Sequence, residues 1–143
     1  MAICTNVGYS GNNVPLPDLI TTTSSLTCFV SGYTQTGNTI TVSIWATGGT
    51  TALATISGGG RGGALTAMST ASFQLQSGTT YYAVVSSTQP QGLTQVLTGY
   101  DALSYGTTTY AGGYTFCVED TPSGGDCDFN DALINLNWTL FGG

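Results

Sequence analysis

The stretch Ala132-Leu133-Ile134-Asn135-Leu136-Asn137-Trp138-Thr139-Leu140 decides the fold. Ile134, Leu136, Trp138 and Leu140 fall on one face, and Asn135, Asn137 and Thr139 on the other. Side chains alternate with a period of two in an extended chain, so this is a strand with one buried side. The pattern recurs at 39–45, where Ile40, Val42 and Ile44 alternate with Thr39, Thr41 and Ser43. β-Branched and aromatic runs at 26–30, 51–56, 71–75, 81–86, 95–98 and 114–118 read as further strands. Turn-formers separate them at 47–50, 58–63, 76–78, 89–92 and 111–113. No segment sustains a 3.6-residue period with caps, so no helix is expected. About eight to nine short strands predict an all-β fold, an antiparallel β-sandwich. With no internal repeat and no linker, 1–143 reads as a single domain whose first part, 1–18, is an irregular lead-in.

Composition removes most chemistries. The chain has 143 residues, enough to bury a core without a metal or a disulfide. Lys+Arg is 1, Asp+Glu is 7 and His is 0, a net charge of −6. With Arg61 as the sole cation there is no basic patch, so nucleic acid is excluded as a partner. Without an imidazole there is no Ser–His or Cys–His nucleophile and no histidine-bound zinc. Without a lysine there is no Schiff base and no Walker-type phosphate lysine. The glycine-rich 58–63 is therefore a flexible connection between strands.

No apolar run approaches the ~20 residues of a membrane span. Residues 1–7 have neither the basic nor the apolar region of a classical signal peptide. The Thr-, Ser-, Gly- and Tyr-rich body still suits an extracellular or cell-surface location. Cys4, Cys28, Cys117 and Cys127 permit two disulfides in an oxidising compartment, with three possible pairings. Trp45 and the tyrosines read as core or inter-sheet filling.

The acids are not spread evenly. Five of the seven, Glu119, Asp120, Asp126, Asp128 and Asp131, lie within 119–131, while the one cation stands at position 61. Carboxylates crowded without Lys or Arg either splay into water or are held by a bound cation. Asp126, Asp128 and Asn130 alternate, which aims three oxygen donors the same way, and Gly124 and Gly125 allow a tight bend. Hard oxygen donors select Ca²⁺ over zinc or copper. An EF-hand is excluded: its glycine position holds Asp131, and its bidentate glutamate position holds Asn137.

Glu119-Asp120, then Asp126-x-Asp128-Phe129-Asn130-Asp131-Ala132 and a strand ending Asn137-Trp138-x-Leu140, resembles the calcium-mediated fucose/mannose-binding lectins of the lectin B type. The likeness is closest over 126–140 and weaker over 25–58. It implies two Ca²⁺ ions side by side, both ligated by vicinal sugar hydroxyls. Glu119, Asp126, Asp128 and Asp131 would enclose the first ion, and Asp128, Asn130 and Asp131 the second. Asp120 would accept a sugar hydroxyl, with Asp126 beside it. The loop at 34–38 would supply a carbonyl ligand and specificity contacts, with Thr34, Thr36 and Gly37 as its candidates. Gly143 would reach the partner's calcium across a dimer.

The sequence thus points to a non-enzymatic, calcium-dependent carbohydrate-binding protein, taking glycans or monosaccharides as a homodimer or higher homo-oligomer. The rival reading is a calcium-stabilised structural or adhesive surface subunit that binds no monosaccharide. Glycoside hydrolysis is disfavoured, because the acids are too crowded to flank a glycosidic bond.

Overall fold

The computed structural model describes residues 4, 8–21, 26–89, 94–120 and 126–140. Among them are β1 (Tyr9–Ser10), β2 (Val14–Leu16), β3 (Leu26–Thr34), β4 (Thr39–Ala46), β5 (Ala54–Gly59) and β6 (Thr66–Ala67). Then come β7 (Ala71–Leu75), β8 (Tyr81–Ser87), β9 (Gln95–Tyr105), β10 (Thr108–Glu119) and β11 (Ala132–Thr139), and no described residue is helical. The larger sheet runs β1-β9-β10-β11-β3-β6, with β7 also paired to β3, and the smaller runs β2-β8-β4-β5. All these pairings are antiparallel. The expected all-β sandwich is therefore present, with eleven strands in place of eight or nine. The additions, β1, β2 and β6, are only two or three residues long.

Period-two alternation builds the core. Leu26, Cys28 and Val30 of β3, Tyr114, Phe116 and Val118 of β10, and Ala132, Ile134 and Leu136 of β11 face inward from the large sheet. They meet Ile40, Val42 and Ile44 of β4, Ile56 of β5 and Ala83 and Val85 of β8. Each large aliphatic buried this way contributes about 1.5–3 kcal/mol. A chain with one cation has at most one side-chain cation to pair, so apolar burial and the backbone ladders hold the fold. Trp138 and Leu140 continue the inward face of 132–140 and pack half-buried against the core.

Three expectations are corrected. The lead-in is not wholly irregular: Val14 and Leu16 are fully buried, and β2 pairs with β8 at the edge of the small sheet. Edge position is what admits Pro15 and its missing N–H. The predicted turn at 111–113 lies inside β10, and the chain turns instead at Gly106 (φ 63°), between β9 and β10. Gly112 and Gly113 are there for space. A Cβ on Gly112 would stand 2.9 Å from the Trp138 ring, and one on Gly113 would collide with the Leu136 carbonyl oxygen. Trp45, finally, does not fill the space between the sheets. It stacks on Tyr82 (ring centroids 6.5 Å apart) on the face opposite Ile44 and Tyr81, both of which point inward.

Strand register also fixes which loops are neighbours. Val118 pairs with Ala132, so the acidic stretch is the loop of the β10–β11 hairpin. Ala132 pairs with Thr34, which sets the β3–β4 loop beside it. Gly59 pairs with Thr39 and Thr66 with Thr34, so the 60–65 loop runs along the β3–β4 loop.

Candidate functional site

The inward-outward alternation of β10 stops at its end. Val118, Glu119 and Asp120 are buried in succession, the two acids each 2% exposed. Across the loop, Asp126, Asp128 and Asn130 are exposed and Asp131 is half-buried. Carboxylate oxygens of Glu119, Asp126 and Asp128 lie within 4.8 Å of one another, as do those of Glu119, Asp120 and Asp131. The residue common to both triads is Glu119.

An extended chain would carry alternate carboxylates about 6.6 Å apart. Here the backbone turns between them, because Cys127 (φ 57°) and Phe129 (φ 56°) adopt the left-handed conformation. For residues other than glycine this conformation costs on the order of 1–3 kcal/mol each. Both are anchored. Phe129 is buried, and Cys127 is disulfide-bonded to Cys4, itself buried. The Cys4 carbonyl accepts a hydrogen bond from Gln95 Nε2 (3.0 Å), and Gln95 pairs with Glu119 in the sheet. The bond therefore ties the turn to the strand end that carries the buried acids. Of the two disulfides that four cysteines permit, this one is formed, and Cys28 and Cys117 are free thiols. Burial pushes the Cys28 thiol up to about 12.

Backbone and side-chain donors fix the carboxylates. Asp120 N–H donates to Asp131 Oδ2 (2.8 Å), and Asn130 donates to Asp128 through its backbone N–H (3.3 Å) and Nδ2 (2.6 Å). Asp131 N–H donates to the Val118 carbonyl (3.1 Å), and its own carbonyl accepts from Gln35 N–H (2.8 Å). Thr36 Oγ1 (2.6 Å) and Asn38 Nδ2 (3.0 Å) both donate to Asp120 Oδ2. Asn38 N–H in turn donates to Thr36 Oγ1 (3.1 Å).

Of the residues singled out in the sequence, Glu119, Asp120, Asp126, Asp128, Asn130 and Asp131 meet at this end of the sheets, with Thr36 joined to them. Gly37 is exposed in the same loop, and Thr34 is buried with its hydroxyl on the Thr66 carbonyl (3.4 Å). Gly124, Gly125 and Gly143 lie outside the described residues. Asn38 was within the candidate stretch but was not singled out. Its tie to Asp120 spans 82 positions and has no local sequence signal.

The electrostatics favour a cation. Burial, chiefly, and the neighbouring Asp120 and Glu119 carboxylates raise Asp131 from 3.8 to about 7, against the Asp120 N–H that lowers it. A proton or a metal ion relieves this crowding, since among the described residues no Lys or Arg pairs with it. The donors are all hard oxygens at the end of a rigid sheet, which fits Ca²⁺ and not a thiolate- or imidazole-seeking metal.

Residues 20–140 match the family described as fucose-binding lectin II (PA-IIL). No curated protein sequence gives a significant match. Among solved structures, the C-terminal domain of the BC2L-C lectin from Burkholderia cenocepacia superposes with a TM-score of 0.61 at 19% identity, covering 93% of this chain and 98% of that one. The Chromobacterium violaceum lectin CV2L, solved in complex with α-methyl-fucoside, gives 0.62 at 20% identity, covering 94% and 100%. These two show the fold. The family match covers most of the sequence, from ahead of β3 to the end of β11 and across the whole acidic loop. The chain belongs to the fucose-binding lectin II (PA-IIL) family, whose members are carbohydrate-binding proteins and not enzymes.

Proposed function

We propose that this chain is a calcium-dependent lectin for fucose- or mannose-type sugars. The observation that carries the reading is the pair of carboxylate triads sharing Glu119, with Asp120 held at their edge by Thr36 and Asn38. Glu119, Asp126, Asp128 and Asp131 would hold one ion, and Asp128, Asn130 and Asp131 a second. When bound, two Ca²⁺ ions offer positive charge and open coordination positions to vicinal hydroxyls.

The protein's own part is orientation. Asp120 presents a carboxylate whose Oδ2 accepts hydrogen bonds from Thr36 and Asn38, which fix its orientation at the edge of the site. Thr36 is joined to that position through its hydroxyl, and Thr34 and Gly37 are the further candidates of the same stretch. Holding these groups in place before binding reduces the ordering cost that weak neutral ligands must overcome. Gly143 at a partner's site, a homo-oligomeric assembly and an extracellular location belong to the same proposal.

Calorimetric titration of fucose, mannose and galactose, with calcium and with EDTA, tests it. Heat that appears with calcium and vanishes with EDTA is expected for fucose or mannose. Calcium that raises the melting temperature while no sugar gives heat would instead favour the structural-subunit reading.

A further inference from the structure

The one cation of the chain is not placed at random. Arg61 sits in the loop between β5 and β6, and the register sets that loop alongside the β3–β4 loop, which holds Asp120. Three contacts join the two. Gly60 N–H donates to the Asn38 carbonyl (2.9 Å), Gln35 Nε2 donates to the Gly63 carbonyl (3.2 Å), and a Cβ on Gly37 would lie 3.9 Å from Gly62 Cα. Arg61 is thus one residue from Gly60, whose partner Asn38 donates its side-chain amide to Asp120. Gly60 (φ 77°) and Gly62 (φ 62°) on either side give it a backbone without side chains, and Gly62 and Gly63 have open space around them. Arg61 is exposed and makes no ion pair among the described residues, although the molecule carries seven acids.

We propose that Arg61 is a specificity residue of the sugar site, selecting glycans that bear an anionic group, a carboxylate or a sulfate ester, beside the hydroxyls that bind at the acidic loop. This rests on the lectin reading above and adds the class of sugar. A guanidinium presents a rigid fork of donors that matches such groups bidentately. Elsewhere a lone arginine on a chain of net charge −6 does little for solubility. At the rim of a site built from carboxylates, it is the one side chain that draws an acidic sugar in. The glycine-rich loop, read from sequence as a bare connection, gives it reach.

The test is titration of calcium-loaded protein with methyl α-mannoside, its C6-carboxylate counterpart (methyl α-mannuronoside) and its 6-sulfate, for the natural chain and for Arg61→Gln. The natural chain is expected to bind at least one anionic sugar about three- to ten-fold more tightly than the neutral one, as for a charge-assisted contact at a partly solvated rim. Arg61→Gln should erase that ratio and leave the neutral sugar's affinity unchanged. The advantage should also shrink as salt rises to roughly 0.15 M, where the screening length is about 8 Å. The carboxylate and sulfate arms identify which group is read. Neutral binding with no anionic advantage, or an advantage that survives Arg61→Gln, overturns the assignment and leaves the lectin reading intact. Failure of all three to bind calcium-loaded protein overturns the Arg61 assignment, and failure of methyl α-fucoside beside them overturns the lectin reading as well.

Discussion

The two ends of β10 differ in kind. At the Glu119 end, three consecutive residues are buried and two of them are acids, while at the Thr108 end the first three residues are exposed. The facing part of β9 is equally open, with Leu103 66% and Tyr105 84% exposed. Between the ends, Tyr114, Phe116 and Val118 alternate with outward residues and make the core. One strand therefore has three regimes. From Tyr114 to Val118 the strand obeys the two-residue period because both sheets press on it. The far end is an arm that outruns the small sheet and buries little. The acidic end violates the period because the burial there is of carboxylates, a cost that a structure tolerates where a cation offsets it.

Asp128→Ala removes the carboxylate assigned to both ions, so calcium stoichiometry by calorimetry should fall to zero and sugar binding with it. Full stoichiometry in this variant would break the distinction between the two ends.

Opening Cys4–Cys127 comes next. Closing a loop of 123 positions is worth about 5 kcal/mol on the chain-entropy argument. Cys4→Ser with Cys127→Ser should therefore lower the melting temperature. It should also weaken calcium binding, because the left-handed turn at 127–129 loses an anchor. An unchanged calcium affinity would show that the clamp serves the fold alone.

Gly113→Ala acts on the strand between the ends. Its methyl would meet the Leu136 carbonyl, and a loss of about 1–3 kcal/mol is expected by chemical denaturation. Calcium affinity should not move.

The pH effect is smaller and opposite in sign to the usual carboxylate case. Asp131 is raised from 3.8 to about 7, so the folded protein holds a proton that the unfolded chain releases across that window. Calcium-free protein should lose stability as pH rises from about 4 to 7. Calcium should remove the slope, since it favours the ionised form. A flat melting profile in EDTA would count against the crowding at Asp131. Least of all, Tyr105→Ser on the arm should change stability by no more than about 0.5 kcal/mol.

Legibility in the sequence follows the same division. The long strands were readable because alternation such as Ile40, Val42, Ile44 records burial directly. The acids were readable because five of seven cluster in one loop. What local pattern cannot carry is distance. The bond of Cys4 to Cys127 and the tie of Thr36 to Asp120 join positions 123 and 84 apart, and only the register of β3, β10 and β11 brings them together. Gly112 and Gly113 misled for a related reason. A glycine pair reads as a turn until Tyr100 and Trp138, packed above it, show that the strand needs the room. The Val14-Pro15-Leu16 strand was hidden because proline argues against a strand except at an edge.

The sulfur link between residues 4 and 127 has a mechanical meaning as well. It encloses almost the entire sandwich in a covalent ring, with the acid-bearing turn at the point of closure. Tension applied at Cys4, against a load at 126–131, passes through two sulfur atoms and a few backbone bonds. None of the strands from β1 to β10 lies along that path. Under shear along that path, the sheets would carry none of the load.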